Sequence, residues 1–160
     1  MRWIQALAGL TRLELSSEFT TDESLRSIEH LATLTELELS RSRHLTTECL
    51  KSIGKLTELR DLELYGRSLQ WKDNEYRADD FEHLRSLTKI VQWEPSDWRI
   101  DDAGITWLDN ANDLTMVYGW GPAVTDKGFA ALADKPNLGV INLGITKITD
   151  TSYKLLENHP

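Results

Sequence analysis

The chain has 160 residues, with 18 basic against 26 acidic side chains and a formal charge of −8. That balance opposes binding through phosphate neutralisation, so nucleic acid is not an expected partner, and basic or neutral partners fit better. No apolar run approaches the roughly 20 residues of a membrane span, so no membrane partner is expected; a single cysteine, Cys49, excludes an intrachain disulfide framework.

From the N-terminus, "MRWIQALAGLTRLELSSEF" lacks a basic region, a continuous apolar block and a small-residue cleavage site, so no signal peptide is evident. With the lone cysteine, this makes the cytoplasm the expected compartment. An apolar anchor at Ile4 then recurs at Ile28, Ile53, Leu84, Leu108, Leu132 and Leu156, in steps of 24, 25, 31, 24, 24 and 24 residues. "IQALAGLTRLEL" (4–15) aligns with "IEHLATLTELEL" (28–39), "IGKLTELRDLEL" (53–64) and "LADKPNLGVINL" (132–143). Such a period marks an array of stacked units.

Each unit changes period internally. "TDESLRSIEHL" (21–31) spaces Leu25, Ile28 and Leu31 for one face of a short helix. "TELELS" (35–40) alternates Leu37 and Leu39 with Glu36, Glu38 and Ser40, as a short strand does. One strand and one short helix cannot bury their apolar faces alone, but stacked copies cover one another.

The third unit carries seven extra residues within "QWKDNEYRADD" (70–80), including Trp71 and Tyr76. They lengthen only the path from strand to helix and are expected to protrude from the rim. Trp93 falls at a strand-core phase and Trp107 inside a helix, so both are expected in the core. Farther on, Asp102, Asp126 and Asp150 each stand at a helix start, with Asp22 and Thr47 in the matching places earlier. A carboxylate there is expected to accept from the free N–H groups of its own helix's first turn, which favours capping over a cation site. The chain closes on a helix, "TSYKLLENH" (151–159).

The stretch "LGVINLGITKI" (138–148) resembles the leucine-rich-repeat signature L-x-x-L-x-L-x-x-N-x-L, with Ile141 at the second leucine and Thr146 at the asparagine. With the "ITDxG"-like helix starts, the chain is similar to the bacterial and cysteine-containing types of that family. The resemblance implies one α/β solenoid domain over 1–160, about six repeats and a C-terminal helix, with a parallel concave sheet and short helices on the convex side. It departs at the asparagine position, which reads Glu18, Ser42, Arg67, Trp98, Pro122 and Thr146, so no asparagine ladder is expected. Pro95 and Gly119 replace the second strand leucine, and Ala111 and Lys135 weaken the turn before the strand.

Nothing in the pattern carries chemistry. His30, His44, His83 and His159 lie at unrelated phases, Cys49 has no catalytic context, and Gly119 and Gly121 lack the lysine and helix of a phosphate loop. No catalytic residue, metal or cofactor is expected.

What remains is a surface. Between the strand leucines stand Glu14, Glu38, Glu63, Glu94, Tyr118 and Asn142; the column before reads Arg12, Glu36, Asp61, Gln92, Met116 and Val140; the column after includes Tyr65 and Trp120. The resulting expectation is recognition of a protein or peptide. Glu14, Glu36, Glu38, Asp61, Glu63 and Glu94 would form an acidic face, and Tyr65, Met116, Tyr118 and Trp120 would supply anchors. The competing reading of the glutamates is a solvated face that deters edge pairing. The family resemblance also allows a substrate-receptor segment of a larger enzyme, such as a ubiquitin-ligase adaptor. No polar cap is visible before the first unit, so the expectation is either self-association, with the strand at about 12–16 pairing with another molecule, or a piece cut from a longer array that lacks its upstream repeats.

Overall fold

The computed structural model describes residues 7–65, 78–95 and 99–157, with the side chains of Trp120 and Leu156 left aside. The insertion carrying Trp71 and Tyr76, the segment with Trp98, the Ile4 anchor and His159 lie outside the described residues.

Among the described residues seven strands form one parallel sheet. β1 (Arg12–Ser16), β2 (Glu36–Ser40), β3 (Asp61–Leu64) and β4 (Gln92–Glu94) pair in sequence; β6 (Met116–Ala123) follows, and β7 (Val140–Gly144) pairs with β6. The register is that of the repeat: Leu13, Leu37, Leu62, Trp93, Val117 and Ile141 stand side by side. Alternation sends this column inward and the residues on either side of it outward, because successive side chains of a strand point to opposite faces.

β5 (Arg99–Asp101) was not among the six expected strands. It continues the path of the fourth unit and pairs with the far half of β6, which is eight residues long. Ile100 explains the extra pairing, since it is 1 % exposed and pins this segment against the core.

The helical layer is made of short pieces: α1 (Asp22–Arg26), α2 (Cys49–Ile53), a 3-10 helix (Ala78–Leu84), α3 (Ala103–Thr106) with a 3-10 turn (Trp107–Asn110), α4 (Asp126–Ala133) and α5 (Asp150–Leu156). Elements this short have little helical stability of their own, so packing holds them. The described anchors Ile28, Ile53, Leu84, Leu108 and Leu132 are all fully buried and share one continuous core with the strand leucines. At the irregular middle, Trp93 and Trp107 meet edge to face at 5.4 Å, and both are buried as expected. The Trp93 indole N–H donates to the Gly104 carbonyl at 3.2 Å. The Pro95 ring lies against Gly119, where an added Cβ would sit 3.0 Å from Pro95 Cγ. Lys135, at a turn position that reads Leu31, Leu56, Leu87 and Ala111 in earlier units, is 4 % exposed and donates to the Asp109 carbonyl at 2.5 Å. Burial lowers its pKa.

The aspartates correct an expectation. None caps its own helix; Asp22, Asp102 and Asp126 each reach the next unit instead. Asp102 accepts from Thr125 N–H (2.7 Å), Thr125 Oγ1–H (2.8 Å) and Gly128 N–H (3.1 Å). Asp126 accepts from Thr149 N–H, Thr149 Oγ1–H and the Ser152 hydroxyl, and Asp22 accepts from the N–H and hydroxyl of Thr46. The own-helix caps are the residues one place earlier: Thr21, Thr125 and Thr149 for α1, α4 and α5, and Asp101 for α3, where it accepts from Ala103 and Gly104 N–H. The carboxylate is still structural, but it ties units together. Stacking places the following helix start within reach, a relation that local helix rules do not contain.

Candidate functional site: the open face of the sheet

The register builds the site. Glu14, Glu38, Glu63 and Glu94 lie in one row across β1 to β4, and Arg12, Glu36, Asp61, Gln92 and Met116 in the next. Neighbouring strands stand about 4.8 Å apart, so these carboxylates face one another at close quarters. The chain relieves part of the crowding. The Arg12 guanidinium donates to Glu36 Oε2 at 2.6 Å and to Glu14 Oε1 at 2.8 Å. The Tyr65 hydroxyl donates to Glu63 Oε2 at 2.5 Å.

Glu38 and Asp61 feel the charge of Arg12, and Asp61 that of Arg60, only at a distance. Neither carboxylate has a hydrogen bond or ion pair among the described residues. Partial burial raises the pKa of Glu38, and the charges of Glu14 and Glu63 raise it further. Asp61 is raised in the same way, by burial first and then by Glu36 and Glu63. The Tyr65 phenol is also pushed well up, first by its hydrogen bond to Glu63. Both unpaired carboxylates line a depression of about 270 Å³ shared with Arg12, Glu14, Glu36, Glu63 and Gln92. Pockets for small molecules usually span roughly 300–1,000 Å³, so this one suits a side chain of a larger partner.

On β6, Met116 is half-buried and Tyr118 is 42 % exposed on the same open face. The Trp120 backbone pairs with Gly144, continuing the column that follows the strand core. All six acidic candidates, Met116 and Tyr118 are therefore on one face, and Tyr65 borders it through Glu63. The sequence reading omitted Arg12 and Gln92 from the site. Their phase, shared with Glu36 and Asp61, was the available signal.

Among the described residues no three His, Cys, Asp or Glu side chains are placed to hold a metal ion. The Cys49 thiol is buried, and desolvation raises its pKa far above the reactive range.

No family model matches the chain, and no curated protein matches it. Solved structures do. Internalin C2 of Listeria monocytogenes superimposes with a TM-score of 0.70 at 23% identity, covering 94% of this chain and 58% of that one. Internalin F from the same organism gives 0.60 at 17% identity, covering 92% of this chain and 37% of that one. Internalins are built of leucine-rich repeats. The chain is a leucine-rich-repeat solenoid.

The solenoid spans a little over half the length of internalin C2 and a smaller share of internalin F. Its parallel sheet forms the concave side and its short helices the convex side.

Proposed function

We infer that the solenoid is a protein- or peptide-binding module whose concave face takes a basic segment. The observation that carries this reading is the pair Glu38 and Asp61, two partly buried carboxylates with no hydrogen bond or ion pair among the described residues, whose pKa values stay raised although the charges of Arg12 and, at Asp61, Arg60 act against the shift. A lysine or arginine entering the depression would supply the missing charge. Glu14 and Glu36, already turned toward Arg12, would flank it, while Glu63 and Glu94 extend the negative potential along the sheet. Tyr118, Met116 and Trp120 would grip an apolar side chain farther along the same segment. Exposed tyrosine and tryptophan often carry a large share of binding energy, and the acidic row would add association rate and specificity. The same proposal places the chain in the cytoplasm, in keeping with its buried free thiol.

The test is a titration of a lysine- and arginine-rich peptide against the intact chain, followed by fluorescence anisotropy at low and high salt. Binding should weaken with salt, and the pair Glu38→Lys and Asp61→Lys should weaken it about tenfold or more. A pull-down with Tyr118→Ala plus Trp120→Ala should lose the partner. Peptide affinity that ignores the charge reversal removes the acidic face from consideration.

A further inference from the structure

The last unit presents positions that every interior unit covers. Tyr153 stands where Leu25, Leu50 and Ile105 are fully buried and Phe129 is 4 % exposed, yet Tyr153 is 60 % exposed. Ile141 and Leu143 are only half-buried, whereas Val117, in the place of Ile141, is fully buried. Ile145, just after β7, is 69 % exposed and holds a φ of 54°, a left-handed conformation costly for a β-branched residue. Arg41 holds the same conformation, with a φ of 56°, at the matching place after β2, so the backbone here belongs to the repeat and the apolar side chain is what sets the last unit apart.

One polar group says what kind of surface fits against this end. Asp22, Asp102 and Asp126 each accept the N–H and hydroxyl of a threonine at or just before the start of the following helix. Asp150 occupies the same phase, and its carboxylate has no hydrogen-bond partner among the described residues. Its counterpart must carry a threonine eight residues after the inward-facing residue of a parallel strand, as Thr149 follows Ile141. A hydroxyl three residues beyond the threonine would complete the set, as Ser152 does for Asp126.

The opposite end of this chain meets that specification. β1 is an edge strand of the sheet, and its inward Leu13 and Leu15 are only half-buried, unlike Leu37 and Leu39 beside them at 1 % and 2 %. Eight residues after Leu13 comes Thr21, and three beyond it Ser24, the pair that caps α1. The open edge of β1 also offers the N–H groups of Arg12, Glu14 and Ser16, because the matching groups of Glu36, Asp61 and Gln92 all turn toward the preceding strand. We propose that the C-terminal end of one solenoid receives the first unit of a second copy, continuing the parallel sheet from β7 to β1. Asp150 then accepts from Thr21 and Ser24 of that copy. The contact is head to tail, so each copy keeps one free end and the association is open. This inference rests on the ends of the solenoid and is independent of the acidic-face reading.

Analytical ultracentrifugation over a wide concentration range tests it. The parent chain should gain mass with concentration. Asp150→Lys alters a carboxylate with no partner among the described residues, and Ser16→Pro removes an N–H that points away from β2; each should remain monomeric with an unchanged thermal melt. Mixing the two variants should restore a one-to-one dimer and nothing larger, since the pair retains one intact head and one intact tail. Asp150→Lys should titrate the basic peptide like the parent, which separates this contact from the concave face. A parent chain that stays monomeric, oligomers indifferent to both substitutions, or a mixture that fails to dimerise would each overturn the proposal.

Discussion

Across the first three units the inward column is leucine throughout, Leu13, Leu37 and Leu62, with Leu15, Leu39 and Leu64 following two places on. Across the fourth and fifth it becomes Trp93 and Val117, followed by Pro95 and Gly119. Both stretches keep the same register and the same buried core. The first does so with identical side chains in each layer. The second balances large against small: Trp93 against Trp107 and the bare Gly104 backbone, the Pro95 ring against Gly119. A solenoid layer is therefore defined by the volume it must fill, and its residue types are free to vary while that volume is kept.

Trp93→Ala is the most severe way to break the comparison. It empties a fully buried site, removes the partner of Trp107 and leaves the Gly104 carbonyl without its indole donor; a loss of about 4 kcal/mol is expected, against about 3 kcal/mol for Leu62→Ala in the regular stretch. Urea unfolding of both variants checks the order, and equal losses would mean that the irregular layer is no more dependent on one residue than the regular one. Gly54→Ala comes next. Its new Cβ would lie 1.9 Å from the His83 carbonyl oxygen, where α2 meets the 3-10 helix of the fourth unit, and about 3 kcal/mol should be lost because backbone has to move.

Smaller losses probe the ties between units. Asp102→Ala deletes three hydrogen bonds to Thr125 and Gly128 and should cost about 2 kcal/mol. Its signature is faster amide exchange at Thr125 and Gly128, in the neighbouring unit, with α3 protected as before; faster exchange confined to α3 would restore own-helix capping. Ile145→Gly has the opposite sign. Releasing a left-handed isoleucine should raise the stability of the isolated chain by about 1 kcal/mol, and a fall in melting temperature would show that Ile145 packs within its own chain.

The mildest effect is the response to pH. Glu38 and Asp61 have raised pKa values, so the folded chain binds their protons more readily than the unfolded chain, and stability rises as pH falls from neutral toward about 5. Asp126, lowered chiefly by the Ser152 hydroxyl, and Glu29, lowered chiefly by Lys55, work the other way. Their contribution is complete above ordinary carboxylate values and is lost as pH falls through their folded pKa values. Thermal melts should therefore peak below neutrality, and Glu38→Gln should flatten the neutral-side slope. A melting temperature already highest at neutral pH would contradict the crowding of carboxylates on the open face of the sheet.

The regular stretch was legible almost residue by residue. Anchors such as Ile28 and Ile53, the strand column, the burial of Trp93 and Trp107 and the placement of the glutamates on one face all follow from two periods laid over a repeat near 24 residues. The aspartates were not legible. At Asp102 and Asp126 the local pattern reads as an N-cap, and Thr125 one place before Asp126 takes that role once backbone geometry is known. Nor did spacing separate Arg12, tied to Glu14 and Glu36, from a solvated arginine, or show that Glu38 and Asp61 go unpaired.

By itself, then, the sequence determined the period, the inward and outward columns and hence the stacked architecture, because burying apolar side chains at fixed spacing leaves one consistent arrangement. Only the tertiary structure decided which carboxylates bind across units, which crowd without a partner, and which core positions stay open at the ends. Those outcomes depend on atoms about 24 residues apart coming within hydrogen-bond distance, and local spacing does not encode the directions of side chains across that gap.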